Sequence, residues 1–295
     1  MKKRRLVLHV GLPKAASSSL QWLMHNQSAR ARADGVDYPA LGADVVVPKH
    51  QALVPALMSG DLNPLAPLLA DSSADTVMLS TEGLTNHFYD FDPAALARFR
   101  EMVAHWDVTL FMILRDPDAW TRSYYAQAVI NPAIRAVSFY ATPTTLEAFA
   151  RLERVRQLCD HDRLAQDLHA GFGAAQVVTA RLEDNWQAAL AQCLGLPWLA
   201  HCPDQSQNIT PAPWVIALMR QVNAFRLPEP RRLAWKAALQ QVSGSGHTLL
   251  SQAGDSRAEA KFDLEPHVVA ALVPSVHPVF PLSAAQIAAF KAQVT

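Results

Sequence analysis

The chain has 295 residues, half of them apolar and 18% charged, with Lys and Arg matching Asp and Glu at 26 each. Such a chain can bury a large core. The balanced charge excludes a global field suited to nucleic acid or an anionic membrane surface, so an anionic ligand must be met by charges placed locally.

In chain order, the first predicted unit is a strand over residues 6–12 (LVLHVGL), a loop over 13–18 and a helix from about 18 to 31 whose N-cap is a serine among 17–19. The basic N-terminus before this strand resembles the start of a signal peptide. His9, Pro13 and Lys14 break its apolar stretch, and no small-residue cleavage site follows, so none is expected. Five prolines cut residues 32–75 into short pieces, read as an acceptor-side insertion. TVMLS (76–80) is a short strand ending at Thr81-Glu82-Gly83. Asp92 and Pro93 open a helix that runs to about 105, as N-cap and first helical residue.

VTLFMIL (108–114) is continuously apolar, as a strand covered on both faces is. It stops at Arg115-Asp116-Pro117, and a helix with Trp120, Tyr124 and Tyr125 follows. Residues 131–144 are a second acceptor-side insertion and 145–158 a helix. Cys159-Asp160-His161-Asp162 has ligand-like residues, but its position at a helix end makes it a cap or exit. AQVVTA (175–180) is another buried strand, and Asp184 begins a helix that Gly195 stops. Beyond 210 the pattern is helical at 212–226, 229–241 and 283–294, with a Gly/Ser-rich loop at 244–261.

Strands alternating with helices imply a three-layer α/β fold with a central parallel sheet, a helical C-terminal part and one domain over 1–295. Ligands of such sheets sit at the carboxyl ends of the strands, which places the loops at 13–18, 81–87 and 115–123 near one another. No run approaches the ~20 apolar residues of a membrane span. Three cysteines without a metal-ligand pattern fit reduced thiols in a cytoplasm.

Strand, tight loop and helix turn backbone N–H groups toward an anion. The triphosphatase pattern G-x-x-x-x-G-K-[ST] laid on 11–18 puts Ala16 at its second glycine and Ser17 at its lysine, while Lys14 sits three residues earlier. Arg115 can hold a second phosphate bidentately, with Ser123 eight residues on. Two anion sites call for a nucleoside carrying phosphate at both ends.

PKAASSSL resembles the 5′-phosphosulfate-binding loop of the sulfotransferase family, and RDPDAWTRSYY resembles its 3′-phosphate segment. VVTARLEDNWQAALAQCLGLP (177–197) is similar to a stretch of the bacterial members. The resemblance covers about 6–20, 76–130 and 175–225 and implies a fold related to nucleotide kinases. It implies 3′-phosphoadenosine 5′-phosphosulfate as donor, the 3′,5′-bisphosphate as product, and no required metal. Lys14, Ala16, Ser17, Ser18 and Ser19 would bind the 5′ end of the donor, and Arg115 and Ser123 its 3′-phosphate. Ala16 replaces the family's usual glycine; a positive φ there costs about 1 kcal/mol.

Lys14 is the cation for charge developing on the leaving phosphate oxygen. Glu82 is the candidate general base, a carboxylate whose pKa burial would raise. His50 and His87 are reserve candidates; His9 is expected as a hydrogen-bonded core residue and Arg122 as a surface charge. Asn208 resembles an asparagine of bacterial members. Trp106, Trp120, Trp198 and Trp214 could stack on a sugar but fit a core equally. The acceptor, a hydroxyl or amine, has no dense basic patch to receive it, which favours a neutral sugar, glycolipid or small metabolite. Competing readings are a P-loop nucleotide kinase or triphosphatase, and a non-catalytic shell that binds the bisphosphate.

Overall fold

The structure, a computed structural model, describes residues 3–40, 48–134, 137, 139–203, 211 and 213–242. β1 (Arg4–His9) leads to α1 (Ser17–Asn26) and α2 (Ser28–Ala33). β2 (Val36–Asp37), α3 (Leu53–Ser59) and α4 (Ala66–Ala70) precede β3 (Thr76–Ser80). α5 (Gly83–Asn86) and α6 (Pro93–Met102) lead to β4 (Trp106–Leu114). Then come α7 (Pro117–Ile130), α8 (Leu146–Ala150), α9 (Glu153–Cys159) and α10 (His161–Phe172), followed by β5 (Gln176–Arg181). α11 (Trp186–Leu194), α12 (Pro213–Ala224) and α13 (Glu229–Val242) complete the described elements.

The five strands form one all-parallel sheet in the order β2-β3-β1-β4-β5, so the fold is α/β and compatible with the three-layer arrangement. Leu6, Val7, Leu8, Val77, Met78, Leu110, Phe111, Met112 and Ile113 are fully buried, as uninterrupted apolar strands require. From β1 the chain moves toward the β2 edge, and from β4 toward the β5 edge. The neighbours β1 and β4 are therefore a topological switch point, and the carboxyl ends of the strands there are where ligands of such sheets bind. β1 stops at the His9–Phe111 pair while β4 continues to Leu114, so the loop after β1 runs beside the last turn of β4.

Several elements differ from the sequence reading. The first strand ends at His9 instead of 12, because Gly11 turns with φ 21° and Pro13 has no N–H to pair. The expected helix 18–31 is two helices separated at Gln27, and 145–158 is α8 and α9 separated at the extended Leu152. Asp160 caps α10, an unexpected helix, by accepting from the Arg163 N–H. β5 is half-exposed at the sheet edge, not buried. Asp92 accepts from the Ala94 N–H, as the Asp-Pro signal predicts, and Gly195 ends α11 in the left-handed region. Asn185, one residue past Asp184, provides the α11 cap. The loop expected over 244–261 and the helix expected over 283–294 lie outside the described residues.

Two compact units are distinguished: residues 1–120 with 152–207, and residues 121–151 with 208–295. The first holds the sheet. In the second, Tyr124 and Tyr125 of α7 pack edge-on or tilted against Phe149 of α8. Arg232 of α13 is buried and closes the C-terminus of α7. Its Nη2 donates to the carbonyls of Val129, Ile130 and Asn131 at 2.8, 3.0 and 2.7 Å, and its Nε to Asn223 Oδ1 at 2.7 Å. These are carbonyls that no intrahelical N–H reaches. Arg232→Met is expected to destabilise the protein by about 3 kcal/mol, measured by denaturant unfolding; a loss within measurement error would show that the cap carries nothing.

Candidate anion-binding site

The loop from Val10 to Lys14 has all five carbonyls engaged. Thr85 of α5 donates its hydroxyl to the carbonyls of Val10 and Gly11. Leu12 O accepts from the Ala15 N–H at 3.3 Å and the Ser17 hydroxyl at 3.2 Å. Trp120 Nε1 donates to Pro13 O at 2.7 Å, and Arg115 Nη1 to Lys14 O at 3.3 Å. Among the described residues, no acceptor meets the N–H of Lys14, Ala16, Ser17 or Ser18. The loop has thus spent its acceptors and kept the donors of Lys14, Ala16, Ser17 and Ser18.

Lys14 and Ala16 both take left-handed φ values, 64° and 57°. Alternation of such residues with helical ones curls successive N–H groups into a concave anion-binding nest. The N-cap of α1 is Ala16 and not a serine, with no side-chain cap, so α1 presents the open amides of Ser17 and Ser18 and the positive end of its dipole. A Cβ at Gly11 would lie 2.6 Å from His9 Nε2 and 2.7 Å from Ser17 Oγ, so only glycine lets the chain turn between them.

The cations are local, as the neutral composition requires. Lys14 is half-buried, and burial first and the Arg115 guanidinium second push its ammonium below the ordinary lysine value. No ion pair involves Lys14 or Arg115 among the described residues. Ser17 and Ser19 are buried and Ser18 is half-buried on the first turn of α1.

Glu82 stands just past β3, with its two oxygens divided. Lys49 Nζ meets Oε1 at 3.1 Å, and Gln21 Nε2 of α1 donates to Oε2 at 3.1 Å. Burial pushes the carboxyl up, as expected. The Lys49 ammonium and the hydrogen bonds from its own backbone N–H, Gln21 and Lys49 pull harder, and the net result is below the ordinary glutamate value. The expected raised pKa is therefore corrected: Glu82 is an ionised, paired carboxylate. Lys49 was not singled out by the sequence, since it sits in the irregular segment 48–52. The one available signal is scarcity, because Lys14 and Lys49 are the only lysines between residues 4 and 235.

Behind Glu82 lies a buried polar network. Tyr38 donates to Pro48 O and is hydrogen-bonded to the Ser80 hydroxyl. With the Tyr38 proton committed, Ser80 donates to Tyr38 and accepts from His9 Nδ1, 2.7 Å away. His9 is thus neutral, its Nε2 bare, and burial lowers its pKa to about 4. His50 accepts from the Ser80 N–H at 3.0 Å and shares its Nε2 proton with Pro39 O at 3.2 Å, and burial also lowers it to about 4. It is a buttress, with no free nitrogen for catalysis.

Of the predicted residues, Lys14, Ala16, Ser17, Ser18, Ser19, Glu82 and Arg115 all belong to the first unit. Ser123 lies buried on α7 in the second. His87 is buried, 3.5 Å from Asp90, and burial lowers its pKa. Arg122 is exposed, and Trp106 and Trp120 are buried. Trp198 donates to Asp34 and lies under Arg30. Asn208 and the Trp214 side chain lie outside the described residues.

Among the described residues no three His, Cys, Asp or Glu side chains are grouped to hold a metal ion, and no helix is long and apolar enough to cross a membrane. Comparison with protein-family models, curated proteins and solved structures gives no match to this chain.

Ala16→Gly removes a left-handed Cβ and is expected to stabilise the fold by about 1 kcal/mol, read from the denaturation midpoint; destabilisation would mean that the loop does not adopt this conformation. The buried histidines set an acid limit. They bind fewer protons folded than unfolded between their values of about 4 and the ordinary 6.5. Stability therefore falls as pH drops through that window, by up to about 3 kcal/mol for each. His50→Gln can keep both hydrogen bonds without titrating, so its stability should fall less than that of the wild type between those pH values; parallel losses would contradict the assignment.

Proposed function

We propose that this protein is a sulfotransferase that moves the sulfuryl group of 3′-phosphoadenosine 5′-phosphosulfate to an acceptor hydroxyl or amine. The observation that carries the reading is the polarity of the 10–18 loop: the carbonyls of 10–14 are engaged, the amides of Lys14, Ala16, Ser17 and Ser18 are open, and Lys14 and Arg115 have no ion-pair partner among the described residues. The same observation supports a phosphate-loop fold related to nucleotide kinases. The sequence discriminates within that class, because Ser17 occupies the position where a triphosphatase carries its lysine.

The amides of 16–18 and the Ser18 and Ser19 hydroxyls hold the 5′-phosphosulfate, while the Ser17 hydroxyl stays on Leu12 O, and Arg115 serves the 3′-phosphate. Transfer is an in-line displacement. The acceptor oxygen bonds to sulfur, and the bond from sulfur to the 5′-phosphate oxygen breaks. Its electron pair passes to that oxygen, where Lys14 meets the charge. Glu82 takes the acceptor proton. The chemistry is mainly positioning and electrostatics, as in phosphoryl transfer. A neutral sugar, glycolipid or small metabolite is the favoured acceptor.

Adenosine 3′,5′-bisphosphate without metal is expected to raise the melting temperature. A response only to ATP with Mg²⁺ would establish the kinase reading instead. Arg115→Glu should weaken the bisphosphate roughly 10- to 100-fold and adenosine 5′-phosphosulfate much less; equal losses would remove Arg115 from the 3′-phosphate. Glu82→Gln should abolish transfer of labelled sulfate in an acceptor screen while keeping nucleotide binding. Intact transfer would remove Glu82 as base, and bisphosphate binding by the wild type with no transfer would leave a binding shell.

A further inference from the structure

The Lys49–Glu82 pair is more than a surface ion pair. Its side chains are only 18% and 27% exposed, and both are presented from pinned backbone. His50 N–H donates to Ser80 O at 2.8 Å, Ser80 N–H donates to His50 Nδ1, and Thr81 donates to Gln51 Oε1 at 3.1 Å. These bonds dock residues 50–51 on the end of β3, next to Glu82. Gln21 reaches the other oxygen from α1, one turn beyond the open amides of Ser17 and Ser18. Glu82 therefore lies between the helix that follows the anion loop and the segment that carries Lys49. Lys49 is the one ion-pair partner of Glu82 among the described residues, so an anion arriving near the start of α1 competes with Glu82 for that lysine.

Resting on the proposed function, we infer that the Lys49–Glu82 pair is a latch opened by the donor: Lys49 passes from Glu82 to the terminal sulfuryl oxygens, and Glu82 keeps only the neutral hydrogen bonds from Gln21 and its own backbone N–H. Losing its ammonium partner leaves burial as the dominant influence, and burial raises a carboxyl. Glu82 becomes a stronger base when the group to be transferred is in place. The other ionisable groups near the carboxylate are His9 of β1 and Tyr38 beyond β2. His9 is neutral well below neutral pH and Tyr38 well above it, so neither masks a Glu82 change. Lys49 is a positioning residue for Glu82 in the free protein and a ligand of the donor in the complex.

Proton linkage separates the latch from the functional reading. Calorimetric titration near about pH 6, in buffers of different ionisation enthalpy, reports protons taken up on binding. The donor is expected to bring uptake of a fraction of a proton per site. The 3′,5′-bisphosphate, which lacks the sulfuryl group, should bring much less. The free 5′-phosphate of the bisphosphate exchanges a proton of its own near this pH, so the variants are read on the donor. Glu82→Gln should abolish the donor's uptake and leave the bisphosphate's exchange unchanged, and Lys49→Met should abolish the donor's uptake too, because its carboxylate is already released. Lys49→Met should also weaken the donor more than the bisphosphate. Donor binding to the wild type without proton uptake overturns the latch and leaves the function standing, without recourse to any variant. Uptake unchanged in Glu82→Gln overturns it as well. Failure of the wild type to bind either nucleotide overturns the function and the latch together.

Discussion

Everything at the candidate site depends on the disposal of a few carbonyl groups. A backbone loop carries donors and acceptors in equal number, and left alone it has no preference for an anion. Here Thr85, Trp120 and Arg115, from three separate places in the chain, bind the carbonyls of Val10, Gly11, Pro13 and Lys14, and a local turn takes Leu12. Each peptide unit holds its C=O and the next N–H in opposite directions. Fixing the carbonyl of Pro13 therefore aims the Lys14 N–H the other way. The loop becomes a donor surface through tertiary contacts that its own sequence does not contain.

The electrostatics follow the same logic. Lys14 and Arg115 are brought together across about a third of the chain, and each guanidinium or ammonium left without a carboxylate costs stability. The left-handed Lys14 and Ala16 add backbone strain. Strain and repulsion persist only where surrounding structure enforces them, and they concentrate at functional sites. A bound anion relieves the repulsion at once, so its binding energy draws on a cost already met by folding.

The parts of this arrangement visible in the sequence are those with local causes. Continuous apolar runs marked β3 and β4, and Asp-Pro and Gly marked the ends of α6 and α11. The order of strand, Pro-Lys loop and helix marked the candidate anion site. β2 was missed because two residues carry no periodicity, and the buried reading of β5 failed because hydrophobicity does not distinguish a central strand from an edge. The open N-cap of α1 was misread because serines are good caps by propensity, while the loop's left-handed Ala16 takes that position. The most consequential miss concerns Glu82. Burial was legible from the apolar strand before it, but its partner Lys49 is 33 residues away in an irregular segment. Only folding shows which of two opposing influences on the carboxyl prevails.

That competition bears on how a carboxylate can serve as a base among cations. A glutamate paired with a lysine is held ionised, and an ionised, well-paired carboxylate takes a proton reluctantly. Moving the lysine away would strengthen the base and weaken the hold on the donor. Sharing one lysine between carboxylate and donor removes the conflict, because the two demands then fall at different moments. Gln21 fits the same proposed scheme: an uncharged donor orients one oxygen of Glu82 from α1 without adding a second cation beside Lys49, so the carboxylate would stay aimed if its ion pair opened. A lysine or arginine at position 21 would keep the aim and forfeit the basicity.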